Sequence, residues 1–304
     1  MARYRYLTAD VFTDTPFGGN QLAVFPDARG IPEARLLDVT REFNFSETTF
    51  VYPPEDAAHT KRVRIFTPTG EIPFAGHPTV GTAHVLAAIG DIALTGERTK
   101  IVFGENVGPV PVEIRSVNGA PVFAQLSVAK LPEAGPGAPD RATMARVLSL
   151  ATSDLMDAPW TAEGLSCGLP FMFVPVHSRD AVARARIQMD AWDATLKGAW
   201  ASEVFVFAME GERPGSDVHA RMFGPGLNIA EDPATGSANA ALAGYLAARN
   251  PMRDGMLRWR VEQGFEMGRP SILEVECDVV AGVVTGVRVG GATVLVSEGM
   301  FTIE

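Results

Sequence analysis

Apolar side chains recur along the chain in short runs bounded by turn residues, and stretches of helical period are few. Residues 5–12 and 22–25 read as strands on either side of a turn, Asp14-Thr15-Pro16-Phe17-Gly18-Gly19-Asn20. Residues 32–43 place Ala34, Leu37, Val39 and Phe43 at helical spacing and open with a Pro suited to a first turn. Strands are expected at 48–52 and 62–66, then a loop, a helix over 79–88, and strands near 110–116 and 121–128. A stretch rich in Pro, Gly and Ala, 129–142, is the linker between a lobe at 1–128 and a lobe at 143–304. Beyond it the order returns: helix near 141–151, strand 171–176, helix 189–199, strand 203–207, then a strand, loop and helix within 219–247. Strands at 257–263, 271–277 and 283–289 follow. The tail, 292–304, reads as one or two strands with a turn at Glu298-Gly299, and its periodicity leaves open which lobe it joins. Strands alternating with so few helices predict a sheet curling around a helix rather than a series of βαβ repeats.

The halves share residues as well as order. Arg64-Ile65-Phe66 parallels Arg221-Met222-Phe223, at an offset of 157 (221 − 64). His77-Pro78-Thr79-Val80-Gly81-Thr82-Ala83 parallels Asp232-Pro233-Ala234-Thr235-Gly236-Ser237-Ala238, at an offset of 155 (232 − 77). Ser46-Glu47 parallels Ser202-Glu203, at an offset of 156 (203 − 47). Three ordered matches at nearly one offset predict two pseudo-symmetric lobes, each supplying a helix N-terminus near Thr79 and near Ala234. On this alignment His77 and Asp232 are equivalent and face one cleft from opposite walls.

Composition narrows the class. With 304 residues the chain holds two lobes of ordinary domain size, and 46% hydrophobic with 20% charged residues is globular. A net charge of −10 without a clustered Lys/Arg stripe argues against nucleic acid as a partner. The start, MARYRYLTADVF, lacks a signal-peptide core and no apolar run spans a bilayer, so a cytoplasmic protein with no membrane partner is expected. Cys167 and Cys277 are too few for a disulfide framework.

The chemistry concentrates in the repeated motifs. Pro233 after Asp232, with Thr235 and Ser237 close behind, is helix-start chemistry, and Gly236 and Ala238 leave first-turn N–H groups open to an anion such as a carboxylate. His77 and Asp232 would then grip different polar groups of an amino-acid-like substrate. Glu47, between Ser46 and the apolar Thr49-Phe50-Val51, is the candidate acid–base, because desolvation raises a carboxyl toward the range useful for taking a proton from carbon. Glu203 reads as a structural remnant of the duplication. The five His residues show no HxxxH spacing and there is no CxxC, so no metal is expected. Gly18-Gly19 and Gly290-Gly291 fit neither a P-loop nor a dinucleotide fingerprint, and no GxSxG elbow is present, so no nucleotide cofactor and no serine hydrolase are expected.

Together these residues resemble the phenazine-biosynthesis PhzF-type isomerase family, which shares the fold of diaminopimelate epimerase. The likeness rests on Asp10-Val11-Phe12 with Gly19-Asn20, Ser46-Glu47-Thr48, Phe74-Ala75-Gly76-His77, Glu231 to Ala238, and Gln263-Gly264 with Gly268-Arg269-Pro270-Ser271. It implies an α/β (α+β) fold of two lobes, each a barrel-like, mostly antiparallel sheet around a central helix. It also implies no cofactor, a small carboxylate-bearing substrate and a homodimer. The family's general acid–base falls on Glu47, and its substrate contacts on His77, Asp232 and Ser237. Asn20, Ser46, Gly76 and Gly236, from the same motifs, complete the candidate substrate-binding set. Gln21 and Pro78 depart from the family pattern beside the expected site, and phenazine production does not follow from the resemblance. The reaction implied is a proton shift between carbons by one glutamate. Epimerisation, which needs a second base on the opposite face, and ligand binding without turnover are the alternatives.

Overall fold

The structure, a computed structural model describing residues 2–304, divides into two compact units, Met1–Ala129 with Gly290–Glu304, and Lys130–Val289. In chain order the first unit contains β1 (Ala2–Val11), β2 (Asn20–Phe25), α1 (Glu33–Phe43), β3 (Glu47–Tyr52), β4 (Lys61–Thr67), β5 (Gly70–Ile72), α2 (Gly76–Ala88), β6 (Arg98–Glu105), β7 (Gly108–Val117) and β8 (Ala120–Ser127). The second contains β9 (Glu133–Ala134), α3 (Arg141–Val147), β10 (Glu163–Ser166), β11 (Pro170–Pro175), α4 (Arg179–Arg184), α5 (Met189–Thr195), β12 (Glu203–Ala208), β13 (Val218–Gly224), β14 (Ile229–Asp232), α6 (Gly236–Ala247), β15 (Gly255–Gln263), β16 (Ser271–Val280) and β17 (Val283–Gly291). The last strand, β18 (Thr293–Ile303), pairs antiparallel with β1 in the first unit.

The fold is mixed α+β and sheet-rich, and each unit keeps one helix at its centre. From Gly76 to Ala87 every residue of α2 is buried, and α6 is buried over nearly its whole length. An isolated polar face is absent from both sequences, so neither helix can lie on a surface. Small residues let the surrounding strands approach. A Cβ at Gly81 would sit 2.5 Å from Val11 Cγ2 and 2.7 Å from Leu22 Cδ2, so β1 and β2 close down on α2 at that point. The hydroxyls of Thr49 and Thr82 meet at 2.8 Å and tie β3 to the same helix. Val80, Val85 and Leu86, all fully buried, each contribute about 1.5–3 kcal/mol by leaving water. A second layer forms where α1 lays Leu36 and Val39 against Phe25, Phe50, Phe66 and Ile303.

The ladders repeat. In the first unit β1–β2 is antiparallel, β2–β3 parallel, β3–β4 and β4–β5 antiparallel, β4–β6 parallel and β6–β7 antiparallel. In the second, β10–β11, β11–β12, β12–β13, β13–β14, β13–β15 and β15–β16 follow the same sequence of senses.

That repeat corrects the sequence alignment. The pairs Thr48↔Phe66 and Val204↔Phe223 keep the offset near 156 (204 − 48). The central helices, however, begin at Gly76 and Gly236, an offset of 160 (236 − 76). The second unit inserts a 3-10 turn, Pro225–Leu227, after β13, and everything beyond it is displaced. His77 is therefore the counterpart of Ser237, and Asp232 the counterpart of Ile72. The helix starts, expected near Thr79 and Ala234, lie at Gly76 and Gly236.

Other differences are local. Strand β6, the short strands β5, β9, β10 and β14, and helix α4 have no counterpart among the expected elements. The tail is one continuous strand without a turn at Glu298-Gly299. Its pairing with β1 carries both residues in register, and the ladder's register shift lies further on, between Thr8 and Ala9.

Candidate active site

In the first unit a parallel ladder and a helix start bring the predicted residues into contact. The pairing of Leu22 with Glu47 sets the first residue of β2, Asn20, beside the residue preceding β3, Ser46. Ser46 Oγ donates to Asn20 Oδ1 at 3.1 Å. Glu47 opens β3 with its side chain 14% exposed, and its Oε2 lies 3.4 Å from Nε2 of His77, the second residue of α2. His77 itself is 4% exposed.

Burial pushes the Glu47 carboxyl up to about 7, with the Ser46 hydroxyl pulling slightly the other way. Near neutral pH the group is therefore populated both as a base and as an acid, the condition for taking and returning one proton. The cap residue of α2, Ala75, has no side chain able to cap, so this end of the helix keeps its dipole and backbone donors for an anion. His84, seven residues along the helix from His77, is held neutral by burial, its pKa lowered to about 4.

In the second unit Asp232, Gly236 and Ser237 occupy the approach to α6. Asp232 ends β14, is 7% exposed, and accepts a hydrogen bond from the Thr235 hydroxyl. Asp232 does not cap the helix: α6 starts at Gly236, its cap position is Thr235, and no side chain caps it. Gly236 is buried in the first turn and Ser237 is half-buried beside it.

This approach is held by two buried anchors. Arg221 of β13 forms a bidentate pair with Glu231 at 2.7 Å to each oxygen and donates to the carbonyls of Val182, Ala183 and Ala185. Gln263, at the end of β15, accepts from Thr235 N and donates to the Asp232 carbonyl at 2.8 Å.

Glu203, the counterpart of Glu47, is built differently. It is 3% exposed, and both its oxygens have partners in its own unit, Ser202 Oγ at 2.7 Å and Gly226 N at 3.2 Å. The carboxylate thus braces the inserted 3-10 turn. Burial also raises the pKa of Glu203, opposed by those two hydrogen bonds.

Two buried polar residues at the central helices lie outside the candidate site residues. Thr79 of α2 hydrogen-bonds Glu105 at the end of β6, and Asn239 of α6 hydrogen-bonds Gln263 at the end of β15. Gln263 lies in a motif that the sequence singles out, whereas Glu105 lies in a strand it does not. The available signal is a lone carboxylate closing the apolar run Ile101-Val102-Phe103. Neither thiol is activated: burial raises Cys167 to about 12 and Cys277 to about 11. Among the described residues no three His, Cys, Asp or Glu side chains are placed to hold a metal ion, and no helix is long and apolar enough to cross a membrane.

Comparison with known proteins agrees over the whole length. The profile of the family described as phenazine biosynthesis-like protein matches residues 9–299. An uncharacterized isomerase of Mesorhizobium japonicum is 40% identical over 98% of this chain and 99% of its own. The trans-2,3-dihydro-3-hydroxyanthranilate isomerase of Pseudomonas fluorescens is 31% identical over 97% of this chain and 98% of its own. The crystal structure of a PhzF-family phenazine biosynthesis protein from Bacillus anthracis superposes with a TM-score of 0.89 at 25% identity, covering 100% of both chains. The chain belongs to the phenazine biosynthesis-like family and is an isomerase of the PhzF type.

Proposed function

We propose that this isomerase moves a proton between carbons of a small amino- or hydroxy-carboxylate, with Glu47 as the single acid–base. The observation that carries this reading is the Glu47–His77 contact at 3.4 Å, made by a largely buried carboxyl whose pKa is raised to about 7. As the carboxylate, Glu47 takes a proton from a carbon of the substrate; as the acid, it returns that proton to a nearby carbon, and the double bond moves. Asn20, Ser46, Gly76 and His77 hold the substrate beside it, and the α2 end balances the substrate's negative charge. The same reading gives Asp232, Gly236 and Ser237 to the substrate's other polar groups. The substrate class is supported by the Pseudomonas relative, whose name is that of an isomerase acting on a hydroxylated, amino-bearing carboxylate.

The experiment is a panel of unsaturated amino- and hydroxy-carboxylates incubated in deuterated buffer and followed by NMR. A shifted double bond supports the proposal, with deuterium at the new C–H position to the extent that the proton on Glu47 exchanges with solvent before it is returned. Label confined to one inverted centre moves the chain to epimerase chemistry, and saturable binding without exchange removes catalysis by Glu47.

A further inference from the structure

The equivalence of the two central helices exposes a difference in hydrogen count. In the second unit Asn239 spends its two amide hydrogens on Thr235 O at 2.9 Å and on Gln263 Oε1 at 3.1 Å. The orientation of Gln263 is fixed independently, because Asp232 O can only accept and Thr235 N can only donate. In the first unit Thr79 stands where Asn239 stands, 160 residues earlier (239 − 79), and Glu105 ends β6 as Gln263 ends β15. The contacts are the same: Thr79 Oγ1 lies 2.8 Å from Ala75 O and 2.7 Å from Glu105 Oε1. A hydroxyl has one hydrogen where an amide has two. Ala75 O can only accept, so both short contacts are hydrogen bonds only when Thr79 donates to Ala75 O and a proton on Glu105 is donated to Thr79 Oγ1.

We propose that Glu105 works as a neutral carboxylic acid, the counterpart of the amide Gln263, and that its O–H···Oγ1 bond to Thr79 positions the first turn of α2. That turn carries His77 against Glu47, so Glu105 is a positioning residue for the proposed reaction. Its effect on turnover rests on that reading; its protonation does not. The surroundings agree. Glu105 is 6% exposed and its Oε2 is buried without a hydrogen bond, a poor place for a charge. Burial pushes the carboxyl up to about 8, outweighing the hydrogen bond that Thr79 would donate to the ionised form and the charge of Arg62 on β4. Glu71 of β5 is engaged by Arg64 and Asn106, and His84 of α2 is neutral. The His59 ring packs against Gly104 beside it, and Glu113 and Arg115 of β7 pair with the opposite end of β6. Ionisation would set a negative charge against the helix end that the substrate carboxylate needs.

The test uses the whole protein and no substrate. In a Glu47→Gln background, the infrared difference between the parent and Glu105→Gln at neutral pH should show the C=O stretch of a protonated carboxylic acid, fading as pH rises through about 8. No such band overturns the protonation. Because the folded-state pKa is raised, the parent should lose melting temperature relative to Glu105→Gln as pH rises from about 4.5 to about 8, and a flat difference also overturns it. Positioning is read from the His77 ring resonances by NMR. Glu105→Gln should leave them in place, whereas Glu105→Ala should move them. If they stay in the Ala variant, or move equally in both, the positioning role is wrong whatever the fate of Glu47 as the base. Should the Ala variant not fold, the Gln comparison still decides, since a displaced ring in that near-isostere contradicts the proposal.

Discussion

Glu47 Oε2 lies 3.4 Å from His77 Nε2, and the two residues arrive there by different routes. Glu47 is delivered by a strand register, the parallel pairing that sets it beside Leu22. His77 is delivered by the start of a buried helix whose position depends on Gly81 tolerating contact with Val11 and Leu22. A carboxyl held at such a junction is desolvated by the fold itself, which accounts for a pKa near 7 without any neighbouring negative charge.

Glu47→Gln should keep the fold and lose most turnover. Gln is nearly isosteric but cannot accept and return a proton, and general acid–base assistance is typically worth about 10²–10⁴-fold. Glu203→Gln should change turnover little, because that carboxylate braces Ser202 and Gly226 instead. Deuterium incorporation measured on both purified variants, with circular dichroism to confirm folding, checks the contrast. An active Glu47→Gln protein would reassign the base.

Glu47 should also leave a mark on stability. Its folded-state pKa is raised to about 7 from 4.5, so the folded protein holds the proton more tightly than the unfolded chain. The associated stability is fully present below about pH 4.5 and is lost as pH rises through about 7, by on the order of 3 kcal/mol. Urea unfolding of wild type against Glu47→Gln across that window measures it. A gap between the two that does not change with pH would show an ordinary carboxylate.

Asp232→Asn removes a buried carboxyl group while keeping a partner for the Thr235 hydroxyl. Binding of a substrate bearing an ammonium or hydroxyl group should weaken by about 1.5–3 kcal/mol, the range for a charged hydrogen bond. Calorimetric titration with a carboxylate from the NMR panel reads the change directly. Unaltered affinity would confine Asp232 to bracing Thr235.

Gly81→Ala tests how tightly the central helix is held. The added methyl meets Val11 Cγ2 at 2.5 Å and Leu22 Cδ2 at 2.7 Å, so strands must shift. Overpacking of this kind typically costs about 1–3 kcal/mol, outweighing the better helix propensity of Ala. A lower urea midpoint is expected. An unchanged or higher midpoint would mean that β1 and β2 yield easily.

Local chemistry made much of this chain legible before folding. The strand runs, and each short motif on which the duplication and the family resemblance rest, consist of residues that are near neighbours in sequence, where hydrophobic period and turn chemistry act directly. Glu47 could be singled out because an apolar strand begins right behind it. What the sequence misplaced depends on register. The three residues Pro225–Leu227 have no periodicity of their own, so a gap of similar size could be drawn elsewhere, and His77 was matched to Asp232 instead of Ser237. Only the ladders, which bond residues far apart in the chain, decide that match. The same holds for Glu105 and Thr79, separated by 26 residues in sequence and by 2.7 Å in space. Burial and hydrogen count at that contact are properties of the packed structure, which no neighbouring residue in the sequence announces.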